Sequence, residues 1–449
     1  MLSALKLRTY YKLLLVTLLN QKRGSLPQAC RHDRSIATSD VILPQLHQFW
    51  KLFRYPPASS FALDLLNLDL LAIYAFGGYN GSKMILTLAL AHGWLKNDAQ
   101  YAADLLRCGN VCTTWRAPAM EIYRDFFTKR PPLLLIPNND EEGNQIMLDM
   151  TSKDVYKVHL PEARGCWIHG AINGWLVTLG LDSSHDIHLL NPFTRAQFLL
   201  PPRSALQYHQ LDDDTPLKTG FIKRAMLTST PFDPDCVVLI IYSRQNCIAF
   251  CRIGDEKWTN LAKPNIPFFD FIFYKGQFYA MDNLGNFLKF ELDLDHEATP
   301  LATAARPHCE QRYMVESLSG DLLLVLKYFS WESDDNDIQE DPFTVLYDTD
   351  LFEVFKWNMD KKEWREINNL GDEALFLGHN GAISVSATKT KGCKGNCIHF
   401  IDDYSEGYFQ NQNGCNDIGE FDLGRKCIEE LYPSFKIWTS PFHWITPDV

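Results

Sequence analysis

Apolar and polar positions follow two different patterns along this chain. Up to about Arg130 the apolar residues recur at the spacing of helices, as at Leu105, Leu106 and Trp115. Beyond Pro132 the pattern changes to short apolar runs rich in β-branched and aromatic residues, which predicts strands. No long helical pattern separates those runs, so a parallel α/β sheet is not expected.

The predicted strands lie between turn signals. The apolar runs are Leu133–Ile136, Gly174–Thr178, Cys236–Tyr242, Cys247–Phe250, Gln277–Ala280, Leu322–Leu326, Glu353–Trp357 and Ile383–Ser386. The turn signals between them are Asp182–Ser184, Gly254–Asp255, Asp282–Gly285 and Ser319–Asp321. Many short strands separated in this way are typical of a radially repeated or barrel-like all-β domain.

A weak internal repeat favours the radially repeated fold. Phe250–Leu261 resembles Phe355–Ile367, because both contain a strand, a charged turn and a Trp that opens the next strand. Tyr274–Asp282 is a further unit, in which a Gly leads into an apolar strand that ends at Asp. With about 45 residues in each unit, residues 132–449 would hold six or seven blades of a β-propeller. Ordinary sandwich core is the alternative explanation of the two Trp positions.

Composition places the chain among globular proteins. Of its 449 residues, 46% are hydrophobic and 22% are charged, which excludes a collagen-like or wholly disordered chain. The formal net charge of −12 argues against a protein that coats a nucleic-acid duplex and favours a basic or neutral partner surface. No apolar run reaches about 18 residues, so a transmembrane span is not expected. The 12 cysteines are scattered along the chain, and their three Cys-x-x-x-Cys pairs suit packing, so reduced thiols in a cytosolic or nuclear protein are expected.

Basic residues surround a short apolar run near the N-terminus. Lys6, Arg8 and Lys12 precede the run Leu13–Leu19. The basic residues that follow are Lys22, Arg23, Arg31 and Arg34. We interpret residues 1–58 as a poorly ordered extension, with a signal peptide or an organelle transit peptide as the alternative.

One cysteine-rich segment has a composition that suits a metal. Cys393, Cys397 and His399 lie close together, and Cys415 follows. Two thiols on a Gly-rich turn beside an imidazole are ligands that zinc accepts. No second close pair follows, and Cys397 begins a strand-like run, so core packing is favoured. We therefore expect no metal and no cofactor.

The sequence contains no pattern that predicts catalysis. There is no Gly-x-Ser-x-Gly motif, and the 13 histidines form no His-Glu-x-x-His pair. Gly77–Lys83 lacks the spacer of a phosphate-binding loop and is interpreted as a turn. The acidic run Asp334–Asp341 lacks the alternation of a calcium loop and is interpreted as a solvated loop. An enzyme that uses the central channel would require ionisable residues that converge there.

Two sets of motifs carry a resemblance to a known family. Val111-Cys112-x-x-Trp115-Arg116 resembles the closing signature of an F-box. The downstream chain resembles the plant F-box proteins that have a KIB-type β-propeller. The segments that carry this resemblance are Leu160–Gly165, Gly174–Leu176, Leu189–Ala196, Leu200–Pro202, Gly392–Phe400, Asp402–Tyr404 and Trp444–Pro447. The resemblance also explains the cysteine-rich segment as a blade motif with no known metal.

The resemblance implies the substrate-recognition subunit of a Skp–cullin–F-box ubiquitin ligase. In such a subunit the F-box helices bind a Skp-type adaptor and the propeller holds the protein to be ubiquitinated. Partner subunits transfer ubiquitin, so no residue of this chain is expected to be catalytic. The residues predicted to contact the adaptor are Leu65, Leu66, Leu105, Leu106, Val111, Cys112, Trp115 and Arg116. Such an apolar stripe can be buried in an adaptor groove, and packing against the propeller is the alternative.

The front of the F-box departs from the family pattern. An F-box begins with Leu-Pro-x-Asp-Leu-Leu, whereas the nearest match here is Phe61–Leu66, with Ala62 in place of Pro. The spacing from Asp64 to Val111 is also longer than in the family, so a segment at about 67–100 looks inserted. We hypothesise that this segment is an unspliced intron or belongs to a diverged gene copy. Sequencing of the transcript tests this, because a major spliced form that contains the whole segment would contradict it.

The sequence therefore predicts a mainly β protein with three regions. These are an extension at 1–58, an interrupted α-helical F-box-like module at 59–128 and a six- or seven-bladed β-propeller at 132–449. The expected partners are a Skp-type adaptor, through it a cullin, and a target protein, with neither nucleic acid nor membrane. The expected location is the cytoplasm or the nucleus, with organelle targeting as the minor alternative. If the F-box module does not work, the alternative is a propeller scaffold that binds a protein without recruiting the ligase.

Overall fold

The fold was analysed in a computed structural model of the chain. The structure describes residues 116–117, 119–122, 129–137, 143–182, 184–206, 221–243, 245–261, 267–292, 298–303, 306, 309–332, 346–403, 417–430 and 441–446. The chain divides into two compact units, Met1–Asp125 and Phe126–Val449. None of the helices that the structure describes is long and apolar enough to cross a membrane. The extension at 1–58 and nearly all of the module at 59–128 lie outside the described residues, so the predicted domain boundaries stay predictions.

The described part of the second unit consists almost entirely of strands. In chain order they are β1 (Leu133–Ile136), β2 (Asn144–Leu148), β3 (Val155–His159), β4 (Cys166–Ile172), β5 (Trp175–Gly180), β6 (Ile187–Leu190), β7 (Gln197–Leu200), β8 (Ile222–Leu227), β9 (Val237–Tyr242), β10 (Cys247–Arg252), β11 (Thr259–Asn260), β12 (Phe268–Tyr274), β13 (Gln277–Asp282), β14 (Asn286–Phe290), β15 (Ala298–Thr303), β16 (Gln311–Glu316), β17 (Leu322–Glu332), β18 (Leu346–Asn358), β19 (Glu363–Ile367), β20 (Glu373–Gly378), β21 (Gly381–Ser386), β22 (Cys397–Phe400), β23 (Gly419–Asp422), β24 (Cys427–Glu430) and β25 (His443–Ile445). The eight predicted strand runs overlap β1, β5, β9, β10, β13, β17, β18 and β21.

These strands form six sheets, which are the blades of a β-propeller. From the centre outward, blade 1 contains β25, β1, β2 and β3, and blades 2 to 5 contain β4 to β7, β8 to β11, β12 to β15 and β16 to β19. Blade 6 has five strands in the order β21, β20, β22, β23 and β24, in which β20 and β22 are parallel. The innermost strands β25, β4, β8, β12, β16 and β21 are neighbours in that order around the central channel. The observed six blades lie within the predicted range of six or seven.

The ring is closed by pairing its two ends. β25 pairs with β1 in antiparallel fashion, with Trp444 opposite Leu134. The indole Nε1 of Trp444 donates to the carbonyl oxygen of Leu377 at 2.9 Å. The ring of Trp444 also meets Phe376 edge-on, with 5.0 Å between the ring centroids. Closure of this kind leaves each blade with only short edges.

Apolar side chains between neighbouring blades form the core. Every residue of β9 is buried, because a blade is covered by another blade on each of its faces. Trp175 of blade 2 and Ile240 of blade 3 share one core cluster, while Leu239 of blade 3 and Phe278 of blade 4 share the next. Burial on both faces explains why the strands have continuous apolar runs rather than strict alternation.

The internal repeat corresponds to the outer strands of two blades. Phe250–Leu261 contains the end of β10, a turn and β11, and Phe355–Ile367 contains the end of β18, a turn and β19. Trp258 follows the first turn and donates from Nε1 to the Pro201 carbonyl oxygen at 2.8 Å. Trp364 follows the second turn and packs against an aromatic ring of blade 4. The repeat is therefore confirmed as blade structure, and the sandwich alternative is wrong.

Candidate functional site

Seven of the eight residues predicted to contact an adaptor lie outside the described residues. They are Leu65, Leu66, Leu105, Leu106, Val111, Cys112 and Trp115. Arg116 is described: it belongs to a helical segment covering 116–117 and 119–122, and it is exposed. An exposed guanidinium is compatible with a contact at the rim of an adaptor groove. The set of adaptor contacts stays a prediction.

The turn between β20 and β21 reaches across the central channel. Arg224 of β8 belongs to the opposite side of the ring, and its Nη1 donates to the carbonyl oxygens of Gly378, at 2.7 Å, and of His379. The side chain of Asn380 lies against β4, where a Cβ added to Gly170 would lie 1.4 Å from an atom of the Asn380 amide. A side chain at position 170 would therefore require the Asn380 side chain to move. Contacts between this turn and blades 2 and 3 therefore cross the channel.

Asp270 of β12 is the acidic partner of Arg224. Arg224 Nε lies 3.7 Å from Asp270 Oδ1, and Asp270 Oδ2 accepts from the backbone N–H of Met314 at 2.6 Å. The guanidinium of Arg224 also lies over the ring of Tyr313, 5.2 Å from its centroid. Burial raises the pKa of Asp270, although the charge of Arg224 opposes this shift. These contacts join three neighbouring inner strands.

Three buried histidines lie at this turn, and one of them, His379, belongs to it. His169 Nδ1 lies 3.1 Å from the Ile222 carbonyl oxygen, and His443 Nε2 lies 3.2 Å from a carbonyl oxygen of β4. The rings of His379 and His443 lie 6.1 Å apart between centroids. Burial lowers the pKa of His169 to about 3 and that of His443 to about 4, and it also lowers the pKa of His379. All three imidazoles are neutral at neutral pH, so none is poised as a general acid there.

A second buried polar cluster lies where the segments after β22 and before β23 meet β17. Lys327 is fully buried, and its Nζ lies 2.9 Å from Asp417 Oδ2 and 3.3 Å from Asp403 Oδ1. The hydroxyl of Tyr313 donates to Asp403, and that of Thr349 donates to Asp417 at 2.6 Å. Burial alone would lower the pKa of Lys327, but the carboxylates of Asp417 and Asp403 raise it. The ammonium group therefore stays charged at neutral pH.

Asp402 adds a third carboxylate to this cluster. The hydroxyl of Tyr347 donates to Asp402 Oδ1 at 2.5 Å. Burial and the charge of Asp417 raise the pKa of Asp402 to about 7, while the Tyr347 hydrogen bond and Lys327 oppose the shift. Asp402 can therefore take up a proton near neutral pH. Because Asp402 connects blade 6 to Tyr347 of blade 5, its protonation is expected to affect the stability of both blades.

The cysteine-rich segment is packed inside blade 6. Cys397 begins β22 and is buried, and His399 stacks on Phe376 with 4.4 Å between centroids. Burial raises the pKa of the Cys393 and Cys397 thiols to about 12 and lowers the pKa of His399 to about 4. Cys415 lies outside the described residues, and within them no group of three or more His, Cys, Asp or Glu side chains is arranged to hold a metal ion.

Sequence reasoning did not single out the buried charges at Arg224, Asp270 and Lys327. A signal for two of them is present in the sequence. Lys327 directly follows the apolar run Leu322–Leu326, and Arg224 lies inside β8, which is otherwise mostly apolar. A charged residue within such a run is buried only when it is paired. The sequence alone does not show the partners, because they belong to other blades.

Comparison with known proteins finds relatives along most of the chain. A family model described as the KIB1-4 beta-propeller matches residues 147–422, which is more than half of the chain. At5g55150, a protein of Arabidopsis thaliana named as an F-box protein, is 29% identical over 78% of this chain and 92% of its own length. The F-box protein SKIP23 of the same plant is 26% identical over 76% of this chain and 90% of its own length. The F-box/kelch-repeat protein KIB1 of Arabidopsis thaliana is 24% identical over 71% of this chain and 78% of its own length. The match to At5g55150 covers more of the chain than residues 132–449 hold, so the similarity extends in front of the propeller.

Proposed function

Because this chain belongs to the KIB1-4 beta-propeller family, we propose that it is the substrate-recognition subunit of a Skp–cullin–F-box ubiquitin ligase. One observation carries the proposal: similarity to proteins named as F-box proteins runs through the propeller and into the residues before it. The predicted F-box helices would bind a Skp-type adaptor and, through it, a cullin. The propeller would hold the target protein.

The propeller supports this role as a rigid platform. Its ring is closed by β25, and its channel is crossed by a turn that Arg224 holds in place. Among the buried ionisable groups that the structure describes around the channel, His169 and His443 are neutral at neutral pH and Asp270 is paired with Arg224. In this proposal the chain is not an enzyme, and partner subunits perform the ubiquitin transfer.

A pull-down with a purified Skp-type adaptor tests the proposal. The full-length chain is expected to retain the adaptor, and Trp115→Ala is expected to lose it, because the predicted apolar stripe would lose its largest side chain. Arg116→Glu should weaken retention by reversing an exposed charge. Arg164→Glu is the matched control, since Arg164 is also exposed but belongs to the propeller unit.

Each outcome separates the two functions that the sequence allows. Retention that depends on Trp115 supports the ligase subunit. Retention only after deletion of residues 67–100 would mean that the F-box is encoded but interrupted, which overturns the proposal for this chain and favours the propeller scaffold. No retention by either form also overturns the proposal.

A further inference from the structure

Phe232 is a highly exposed aromatic residue on an ordered turn. Its side chain is 67% exposed, although it lies in the connection between β8 and β9 at 228–236. The backbone N–H of Asp233 donates to the Thr230 carbonyl at 2.9 Å, and that of Cys236 donates to the Asp233 carbonyl at 3.0 Å. The side chain of Phe232 is therefore exposed to solvent from a turn that backbone hydrogen bonds hold in place.

Two further aromatic rings lie beneath Phe232. Its centroid lies 5.2 Å from that of Phe198 and 5.7 Å from that of Trp175, and the last two are 5.5 Å apart. Trp175 is fully buried in the core between blades 2 and 3. The three rings thus continue the core to the surface. A ring supported in this way loses little conformational freedom when a partner covers it, and aromatic side chains dominate the energetics of interfaces.

Four carboxylates belong to the turns at the end of blade 3 that carries the exposed ring. They are Asp233, Asp235, Asp255 and Glu256. The first pair belongs to the same turn as Phe232, and the second pair belongs to the turn between β10 and β11. Both turns lie at one end of blade 3, because Arg252 at the end of β10 pairs with Val237 at the start of β9. Arg252 and Lys257 are the basic residues there, so the carboxylates outnumber the cations at this end of the blade.

We propose that Phe232 and these four carboxylates, together the Phe232 surface, bind a basic segment of the target protein that carries an apolar side chain. The apolar side chain would cover Phe232, and flanking Lys or Arg side chains would face the carboxylates. Charge complementarity supports this occupant, because the local excess of acid agrees with the net charge of −12. A second copy of this chain would bring like charges together. The proposal rests on the proposed function, since the segment would belong to the protein to be ubiquitinated.

Leu284 offers a matched control on the other face of the propeller. It is 66% exposed, nearly as much as Phe232, and it lies in the turn between β13 and β14. That turn follows the second strand of its blade, whereas the turn that holds Phe232 follows the first. Because those strands are antiparallel, the two turns lie at opposite ends of the blades.

Fluorescence anisotropy of a labelled synthetic peptide tests the Phe232 surface on the full-length chain. The probe has one Leu between Lys and Arg residues, and the comparison peptides replace either the basic residues by Glu or the Leu by Ser. Only the first peptide should bind tightly, and its affinity should fall with added salt. Phe232→Ala should weaken binding by about tenfold or more, which corresponds to about 1.4 kcal/mol. Leu284→Ala should leave binding unchanged.

A second variant separates recognition from folding. Asp235→Lys combined with Glu256→Lys keeps the aromatic rings and reverses two exposed charges. This double variant should bind the basic peptide more weakly, and its binding should no longer depend on salt. No binding of the basic peptide, equal binding of the Glu peptide, equal loss in Leu284→Ala or unchanged binding in Phe232→Ala would each overturn the proposal. Dimerisation through Phe232, detected by light scattering, would also overturn it.

The adaptor pull-down distinguishes this proposal from the proposed function. Phe232→Ala should retain the adaptor as well as the parent chain does. If the parent chain retains the adaptor but does not bind the basic peptide, the Phe232 surface is wrong and the ligase role stands. If it binds the peptide through Phe232 but not the adaptor, the surface stands as that of a scaffold.

Discussion

Replacing Lys327 by Met should cause a large loss of stability. Lys327 is fully buried, with Nζ 2.9 Å from Asp417 Oδ2 and 3.3 Å from Asp403 Oδ1. Methionine has a similar shape but no charge, so it would leave these carboxylates buried without their cation. Removal of one partner from a buried ion pair costs about 3–5 kcal/mol. We therefore expect Lys327→Met to lower the free energy of unfolding by about 3–5 kcal/mol at pH 8.

The size of this loss should depend on pH. Burial raises the pKa of Asp402 from 3.8 to about 7 in the folded chain, so its ionised form opposes folding as the pH rises through this range. Without Lys327 the carboxylate of Asp402 faces its neighbouring carboxylates with no cation, so the pKa of Asp402 rises further. Protonation removes this repulsion. The cost of Lys327→Met should therefore be smaller at pH 5 than at pH 8.

Urea denaturation of the full-length chain, monitored by tryptophan fluorescence, measures the stability loss in Lys327→Met and its dependence on pH. Lys356→Met is the matched control, because Lys356 Nζ lies 2.6 Å from Asp321 Oδ2 while the Lys356 side chain is 45% exposed. An exposed pair of this kind contributes about 0–1 kcal/mol. A loss in Lys327→Met no larger than that in Lys356→Met, or a loss that grows as the pH falls, would refute the reasoning.

Two further predictions concern the same ring of blades. Asp402→Asn keeps an acceptor oxygen for the Tyr347 hydroxyl but removes a carboxyl group whose pKa is raised to about 7. The variant should therefore be more stable than the parent at pH 8 and equally stable near pH 4. Urea denaturation at both pH values checks this, and lower stability of the variant at pH 8 would contradict it. Trp444→Ala removes the indole hydrogen bond to Leu377 and buried packing at the closing strand, so it should cost about 3–5 kcal/mol. Thermal unfolding of Trp444→Ala tests this. Trp364→Ala, which changes a half-buried residue of an outer strand, is the control. An equal loss of stability in both variants would count against the role of β25 in closure.

Short-range chemistry made the blades predictable. Strands such as β9 and β17 are continuous apolar runs bounded by turn residues, because each blade is covered on both faces by its neighbours. The repeated outer hairpins at Phe250–Leu261 and Phe355–Ile367 keep their pattern because every blade meets the same environment. The ordered motifs also indicated the family, which the propeller match at residues 147–422 shows.

Blade 6 was less predictable because its order depends on pairing between distant parts of the chain. β21 was predicted as a strand, but β20 lies between β21 and β22 and pairs with β22 in parallel. Parallel pairing has no turn signal of its own, since the connection leaves the ladder and returns. The number of blades could likewise be bounded by length but not determined.

By itself the sequence determined eight of the strand runs, the turn signals between them, the repeat and the motifs of the family, since each of these depends on residues that are close along the chain. Only the tertiary structure decided which charges are buried and with what partner. Lys327 meets Asp403 and Asp417, and Arg224 meets the carbonyl of Gly378. These partners are far apart in sequence, and the closed ring brings them together. Likewise, the sequence does not distinguish Phe232 from a buried core residue. Only the position of its turn at the end of blade 3 leaves the Phe232 side chain exposed.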